Sequence, residues 1–345
     1  MTYDPLRRAT PVTHEAIFGP MRLPLRFQTN SPDLLVLAEE AFARFGPPPA
    51  EPIEPELLIR LFIHEVDDLA GTGQVYPNPV HRAQDGLVFI AAGRDSVMTL
   101  DLNAGWAFGF ISPTCAADRD FTRATFIEGP FYCFTERRGV IGLHAGCIVH
   151  AGRSLVLIGP SGAGKSTLTY ACARRGCQVL SDEAVFSRAD DVAEEGYLLR
   201  DARNAAPDPR LRLWAGPLSL QLLPDAVRFF PELADLPAQL QRNGERKIDV
   251  NLSQLLPAAT VVQAPAGPMA FVERNDQPDT HFELMPAEEA FDQIMATHYL
   301  DEPPYMTRFA ANLRCLIDLG TYRPQMGWDL DRAVDVVKEF LERGA

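Results

Sequence analysis

The run Gly159-Pro160-Ser161-Gly162-Ala163-Gly164-Lys165-Ser166 satisfies every fixed position of the pattern G-x-x-x-x-G-K-[ST]. Glycines in such a loop let the backbone turn without side-chain obstruction, so that its N–H groups converge on phosphate oxygens. In that chemistry Lys165 reaches the β- and γ-phosphates of ATP as a point charge, the Ser166 hydroxyl is a ligand of Mg2+, and Thr167 follows on the same turn. A helix opening near Ser166 would add the positive end of its dipole. The alternative is a glycine-rich turn that fits the pattern by chance. Asp182 and Glu183 lie 17 and 18 residues beyond Lys165. Adjacent carboxylates there can divide the work of holding Mg2+ and accepting a proton from an attacking hydroxyl, or can be an acidic turn after an edge strand. His144, 15 residues before Gly159, can contact phosphate or steady the acids, or can simply pack.

These residues need elements to hold them. The apolar patterning predicts strands over 141–150 and 154–158 with a turn at Ala151-Gly152-Arg153. The glycine loop follows, then a helix over 165–175 closed by Gly176, and a short buried strand over 178–181. Strand, glycine loop, helix, strand is a nucleotide-binding unit, with the loop at the C-terminal end of its strand. Farther on, strands are expected over 211–214 and 268–273, and helices over 287–300, 305–320 and 329–343. Upstream, a helix over 34–45 is stopped by Gly46 and the prolines from Pro47 to Pro52, and a strand follows over 57–66. Strands over 86–92, 96–102 and 106–111, separated by short glycine turns, form a meander. A helix over 120–138 should be broken or kinked at Gly129-Pro130. The expected class is α/β: an N-terminal α+β recognition domain over 1–138 and a P-loop catalytic domain over 139–345 with a mixed or largely parallel sheet flanked by helices.

The chain of 345 residues carries 32 Lys plus Arg against 46 Asp plus Glu, a net charge of −14. That balance repels phosphate backbones and anionic lipid, so neither nucleic acid nor a membrane surface is an expected partner. A hydrophobic fraction of 46% excludes global disorder. No apolar run approaches the ~18 residues of a membrane span, and residues 1–8 lack the apolar stretch of a secretory signal. The six cysteines include no C-x-x-C pair and read as reduced core residues of a cytoplasmic protein. The basic cluster from Arg242 to Lys247 reads as a solvated loop rather than as phosphoryl-neutralising groups, and Arg210 and Arg212 are treated alike. His64, His150, His281 and His298 lack metal-ligand spacing, and Trp106, Trp214 and Trp328 are expected as core anchors.

Leu143-His144-Ala145-Gly146-Cys147-Ile148-Val149, the P-loop, and Arg175-Gly176-Cys177-Gln178-Val179-Leu180-Ser181-Asp182-Glu183 together resemble the catalytic domain of HPr kinase/phosphorylase and its relatives. The resemblance covers about 144–185, with weaker echoes at Leu211-Arg212-Leu213-Trp214 and Gly327-Trp328-Asp329-Leu330-Asp331. It implies the HPr kinase/phosphoenolpyruvate carboxykinase type of P-loop fold. It also implies that Lys165 binds phosphate, that Ser166 and Asp182 hold Mg2+, that His144 is the active-site histidine, and that one of Asp182 and Glu183 takes the proton of an acceptor serine. The family usually carries two aspartates there, and the extra methylene of Glu183 moves its carboxylate by about a bond length. Which acid is the base stays open. Residues before Arg138 do not resemble the N-terminal domain of the HPr enzyme, and the glycine-rich motif of its phosphorylase activity is not found downstream. Relatives with exchanged N-terminal regions include kinases of a serine in small peptides, such as lasso-peptide precursors, and kinases of free serine. The resemblance therefore implies an ATP- and Mg2+-dependent kinase of a serine-type hydroxyl on a peptide or small protein. The alternatives are a kinase of a free small molecule such as serine and a nucleotide-dependent regulatory ATPase. Relatives often form oligomers, which leaves a homo-oligomer open. A chain this acidic would more readily meet a neutral or basic acceptor.

Overall fold

A computed structural model of the chain describes residues 10–46, 56–73, 76, 78–189, 211–216, 219–240, 244–274, 279–297 and 303–343. The prolines from Pro47 to Pro52, Arg210, Arg242, His298 and the expected helix end at Leu300 lie outside the described residues. The chain divides into two compact units, Met1–Arg138 and Gly139–Ala345.

The first unit is built on a seven-stranded sheet. Its order is His14–Phe18, Leu25–Thr29, Leu57–Ile63, Trp106–Ile111, Ser96–Asp101, Leu87–Ala92 and Val80–Gln84. The last four form the antiparallel meander, while Leu57–Ile63 is parallel to both its neighbours. Two of these strands escape the alternation rule. Every residue of Val80–Gln84 is exposed, so that strand has no apolar face to read, whereas Leu25–Thr29 is buried on both faces. The helix Pro32–Phe42 starts at Ser31 with Pro32 in its first turn, and its last expected turn is a 3-10 turn over Ala43–Phe45. At Gly129-Pro130 the expected break does not occur. A wide π turn over Arg123–Glu128 runs into Gly129–Arg137, and the Gly129 N–H reaches back to the Ala124 carbonyl. The wider turn accommodates a proline that would collide with the carbonyl four residues back in a regular helix.

In the second unit the central sheet runs Gln178–Ser181, Gly146–His150, Arg153–Ile158, Met269–Phe271, Thr321–Met326 and Glu273–Arg274, with His281–Leu284 also paired to Thr321–Met326. It is mixed. Arg153–Ile158 is parallel to Met269–Phe271 and antiparallel to Gly146–His150. Side chains alternate between two cores: Ile148, Leu155 and Leu157 face one, and Cys147, Val149 and Val156 face the other. Strands buried on both faces read as near-continuous apolar runs, as these do. The first core is closed by the helices Lys165–Arg174 and Leu330–Arg343 and by a small sheet of Ser219–Leu222, Arg246–Asn251 and Ala238–Leu240. Ala333, Val334, Val337 and Leu341 form the buried stripe of the last helix. The second core lies under the helices Ala287–Ala296 and Pro303–Ile317 and a four-stranded antiparallel sheet, so that face of the central sheet is covered partly by strands.

The strand expected over 141–150 is two strands. Val140–Leu143 joins the four-stranded sheet and Gly146–His150 the central one, with His144 and Ala145 in the break. Its partner divides at the same level: Gln178–Ser181 pairs with Gly146–His150, and Val185–Ala189 with Val140–Leu143. Trp214 is buried, but Trp106 and Trp328 are 39% and 69% exposed and anchor no core. Among the described residues no helix is long and apolar enough to cross a membrane. No disulfide is present, and five of the six cysteines are buried.

Candidate active site

The glycine loop leaves the end of Arg153–Ile158 and turns into the helix Lys165–Arg174 through Gly164, whose φ of 101° strains any residue with a side chain. A β-carbon on Gly159 would stand 2.7 Å from the Val272 carbonyl oxygen. Only a glycine passes there, and the Val272 N–H in turn donates to the Ile158 carbonyl at 2.6 Å. The loop is thereby fixed to the neighbouring strand.

Lys165 is 7% exposed, and its Nζ donates to the carbonyls of Gly159 (2.6 Å) and Pro160 (3.1 Å). Burial lowers its pKa, Asp182 opposes that shift and Lys247 adds to it. Asp182 follows the Gln178–Ser181 strand and is 5% exposed. Burial pushes its carboxyl up to about 6. The Ser166 hydroxyl and the Gln221 backbone N–H pull the other way, Glu183 pushes it up and Lys165 down. Among the described residues Asp182 Oδ1 has no hydrogen-bond partner. Glu183 is half-buried, and its carbonyl accepts the Ala145 N–H at 3.2 Å, which ties the acids to the break that carries the exposed His144.

His144, Ser161, Gly162, Ala163, Gly164, Lys165, Ser166, Thr167, Asp182 and Glu183 all line one cleft. Gly159 and Pro160 are not among its walls and serve as acceptors for Lys165. The remaining wall is Gln221, Leu222, Leu223 and Lys247, from the small sheet and the turn after it. Lys247 corrects the expectation of a solvated loop. It lies on the strand Arg246–Asn251 with its side chain 21% exposed, 3.5 Å from Glu245. Arg246 instead turns outward onto the Ala238 carbonyl, and Arg212 lies on its own strand away from the cleft walls. Alternation of Leu220 and Leu222 was the available signal for Ser219–Leu222; nothing local marked Gln221 as a cleft residue, and the basic cluster that contains Lys247 was the one signal for Lys247. Of the other histidines, His64 is buried against the Asp95 carbonyl, and His150 and His281 pair with Glu342 and Glu283.

The residues fit the phosphates of a nucleoside triphosphate and a divalent cation. Among the described residues a buried ammonium donates to carbonyls with a carboxylate nearby, a buried carboxylate oxygen lacks a partner, and the Ser166 hydroxyl bears on that carboxylate. Among the described residues no group of three or more His, Cys, Asp or Glu could cage a metal. A hard cation held by one carboxylate and one hydroxyl completes its shell with phosphate and water.

No protein-family model matches the chain, and no curated protein matches it. Among solved structures it is similar to the Hpr(Ser) kinase/phosphatase from Coxiella burnetii, at 10% identity and a TM-score of 0.29, over 59% of this chain and 96% of that one.

Proposed function

We propose that the chain is an ATP- and Mg2+-dependent kinase that transfers the γ-phosphate to a serine-type hydroxyl on a peptide or small protein. The observation that carries this reading is the convergence of the P-loop lysine, Ser166 and the pair Asp182 and Glu183 on one cleft with His144 and Lys247. Lys165 exchanges its two carbonyl acceptors for phosphate oxygens and stabilises the charge that grows on the transferring group. Ser166 and Asp182, which line the same cleft, would hold the cation. A cation bound there supplies charge neutralisation across the β- and γ-phosphates. Glu183 is more exposed than Asp182 and takes the proton of the incoming hydroxyl, while His144 steadies the phosphoryl group from the other side of the break. We assign acceptor recognition to the first unit, whose sheet carries Leu87, Phe89 and Trp106 exposed on one face.

The test is incubation of the protein with γ-labelled ATP and lysate of its source organism, split by size. Label on a peptide or protein supports the reading. Label confined to the small-molecule fraction removes the peptide acceptor and leaves a kinase of a free hydroxyl compound. ATP binding without transfer to any fraction removes the kinase.

A further inference from the structure

Two cysteines that the proposed chemistry does not use meet at the far end of the P-loop helix. Cys172 lies in its last turn and Cys177 just beyond it. The Gly176 N–H donates to the Ala173 carbonyl at 3.1 Å and the Cys177 N–H to the Cys172 carbonyl at 3.0 Å, with Gly176 at a φ of 87°. This paired pattern is the glycine cap in which the third helical residue from the end and the second residue past it bring their side chains together. Here both are thiols, in one buried cluster, and each bears on the other's ionisation. The two residues' backbones are joined directly by that hydrogen bond from the Cys177 N–H to the Cys172 carbonyl, and a disulfide needs such close backbones.

The surroundings favour a thiolate. His150, Lys338 and Arg175 bear on Cys177, and Lys338 Nζ is held at the cap by the Arg175 carbonyl at 3.2 Å. Arg175 is itself clamped by the Asp331 carbonyl and the Asp335 carboxylate of the last helix. The interaction with Cys172 is the largest influence on Cys177 and brings its pKa down, against the effect of burial. Burial raises Cys115 and Cys133 to about 11 and Cys147 well above its ordinary value. Both cap thiols are almost fully buried, but the cap above them, Arg174 to Gly176, is exposed, which admits a small oxidant only.

We propose that Cys172 and Cys177 are an oxidisable dithiol, a modification site that hydrogen peroxide closes to an intrachain disulfide across the C-terminal cap of the P-loop helix. Cys177 thiolate attacks one peroxide oxygen, forming an S–O bond as the O–O bond breaks, and hydroxide leaves and is protonated to water. Cys172 sulfur then attacks the sulfenic sulfur; the S–S bond forms, the S–O bond breaks, and the thiol proton leaves with the oxygen as a second water. The two thiols are oxidised by two electrons in all, and one peroxide is reduced to two waters.

The test treats the folded full chain with hydrogen peroxide, alkylates the remaining thiols and digests with trypsin. Cleavage after Arg174 and Arg175 puts the two cysteines on separate peptides, joined only when the disulfide is present. The expected result is loss of two of the six thiols, a linked pair of peptides carrying Cys172 and Cys177, and reversal by dithiothreitol. In Cys172→Ser the linkage is lost and Cys177 is trapped by dimedone as its sulfenic acid. Oxidation of Cys133 or Cys315 ahead of the pair, or linkage only in urea, overturns the proposal. The wild-type digest decides it even if the variant does not fold.

Discussion

Replacing Asp182 by Asn should make the second unit more stable at pH 8 than at pH 4, relative to wild type, when no metal is present. The carboxyl is held at about 6 against an ordinary value of 3.8, chiefly by burial. At about 1.36 kcal/mol per pH unit this displacement corresponds to about 3 kcal/mol. The sign follows from which state binds the proton more tightly. The folded state does, so below about pH 3.8 both states are protonated and the group costs nothing. Between about 3.8 and 6 stability falls as pH rises, and above about 6 the full cost persists. Asparagine has nearly the same shape and no charge, so the variant escapes this cost. It also changes the hydrogen bonds from Ser166 and Gln221, a pH-independent offset, and the quantity to read is therefore the difference between the two pH values. For a domain of this size about 3 kcal/mol is about 6–12 °C in Tm. Calorimetry with a chelator, across pH 4 to 8, with hydrogen exchange to assign the transition to Gly139–Ala345, reads it. A variant whose Tm difference from wild type is the same at both ends would refute the account of Asp182 as a buried carboxylate that its neighbours only partly compensate.

Three further substitutions separate the roles in the cleft. Glu183→Gln should lower phosphoryl transfer by about 10²–10⁴ while leaving calorimetric Mg-ATP affinity unchanged; equal loss of both would return the proton-accepting role to Asp182. Lys247→Ala should weaken nucleotide binding by about tenfold, the effect of removing one charge-assisted hydrogen bond, and an unchanged Kd would put Lys247 outside the phosphate site. Gly216→Ala places a β-carbon 2.5 Å from the Ala184 carbonyl oxygen and 2.8 Å from its β-carbon. It should destabilise the unit by about 1–3 kcal/mol in thermal unfolding and reduce transfer more than nucleotide binding, because it moves the segment that carries the acids and not the P-loop.

What the sequence makes legible in this molecule is what is local. The strand, loop and helix around Gly159 follow from glycine placement and apolar spacing because every determinant lies within twenty residues. The last helix is legible for the same reason, since its stripe is complete within itself and Asp329 Oδ1 caps the Arg332 N–H at 3.0 Å. Lys247 was legible only as one of two readings of a basic cluster: its charge suggests solvent, and the pairing of its strand with Ser219–Leu222 is what brings it to the cleft. The unbroken apolar run around His144 reads as one strand because both halves are buried; what divides it is a partner that divides too. Trp328 shows the converse limit, a large aromatic that composition assigns to a core and the fold leaves in solvent.

The break itself explains why the chemistry gathers where it does. Residues 140–150 and 178–189 run side by side as two antiparallel ladders in the same register, with Leu143 opposite Val185 and Cys147 opposite Ser181. A ladder continuous through 144 and 182 would bury every side chain between two sheets, and a charged acid pair there would have no route to a substrate. Because the two halves diverge into different sheets, the crossing leaves backbone groups that no strand satisfies, and they satisfy one another. The Ala145 N–H binds the Glu183 carbonyl, the Gly216 N–H binds the Ala184 carbonyl, and the Ala184 N–H binds Ser181 Oγ. Paired backbone groups cost little, whereas orphaned ones would cost about 1–3 kcal/mol each. The crossing is therefore a rigid joint, and it holds an exposed histidine and two acids in the cleft of a glycine loop that comes from the adjacent strand.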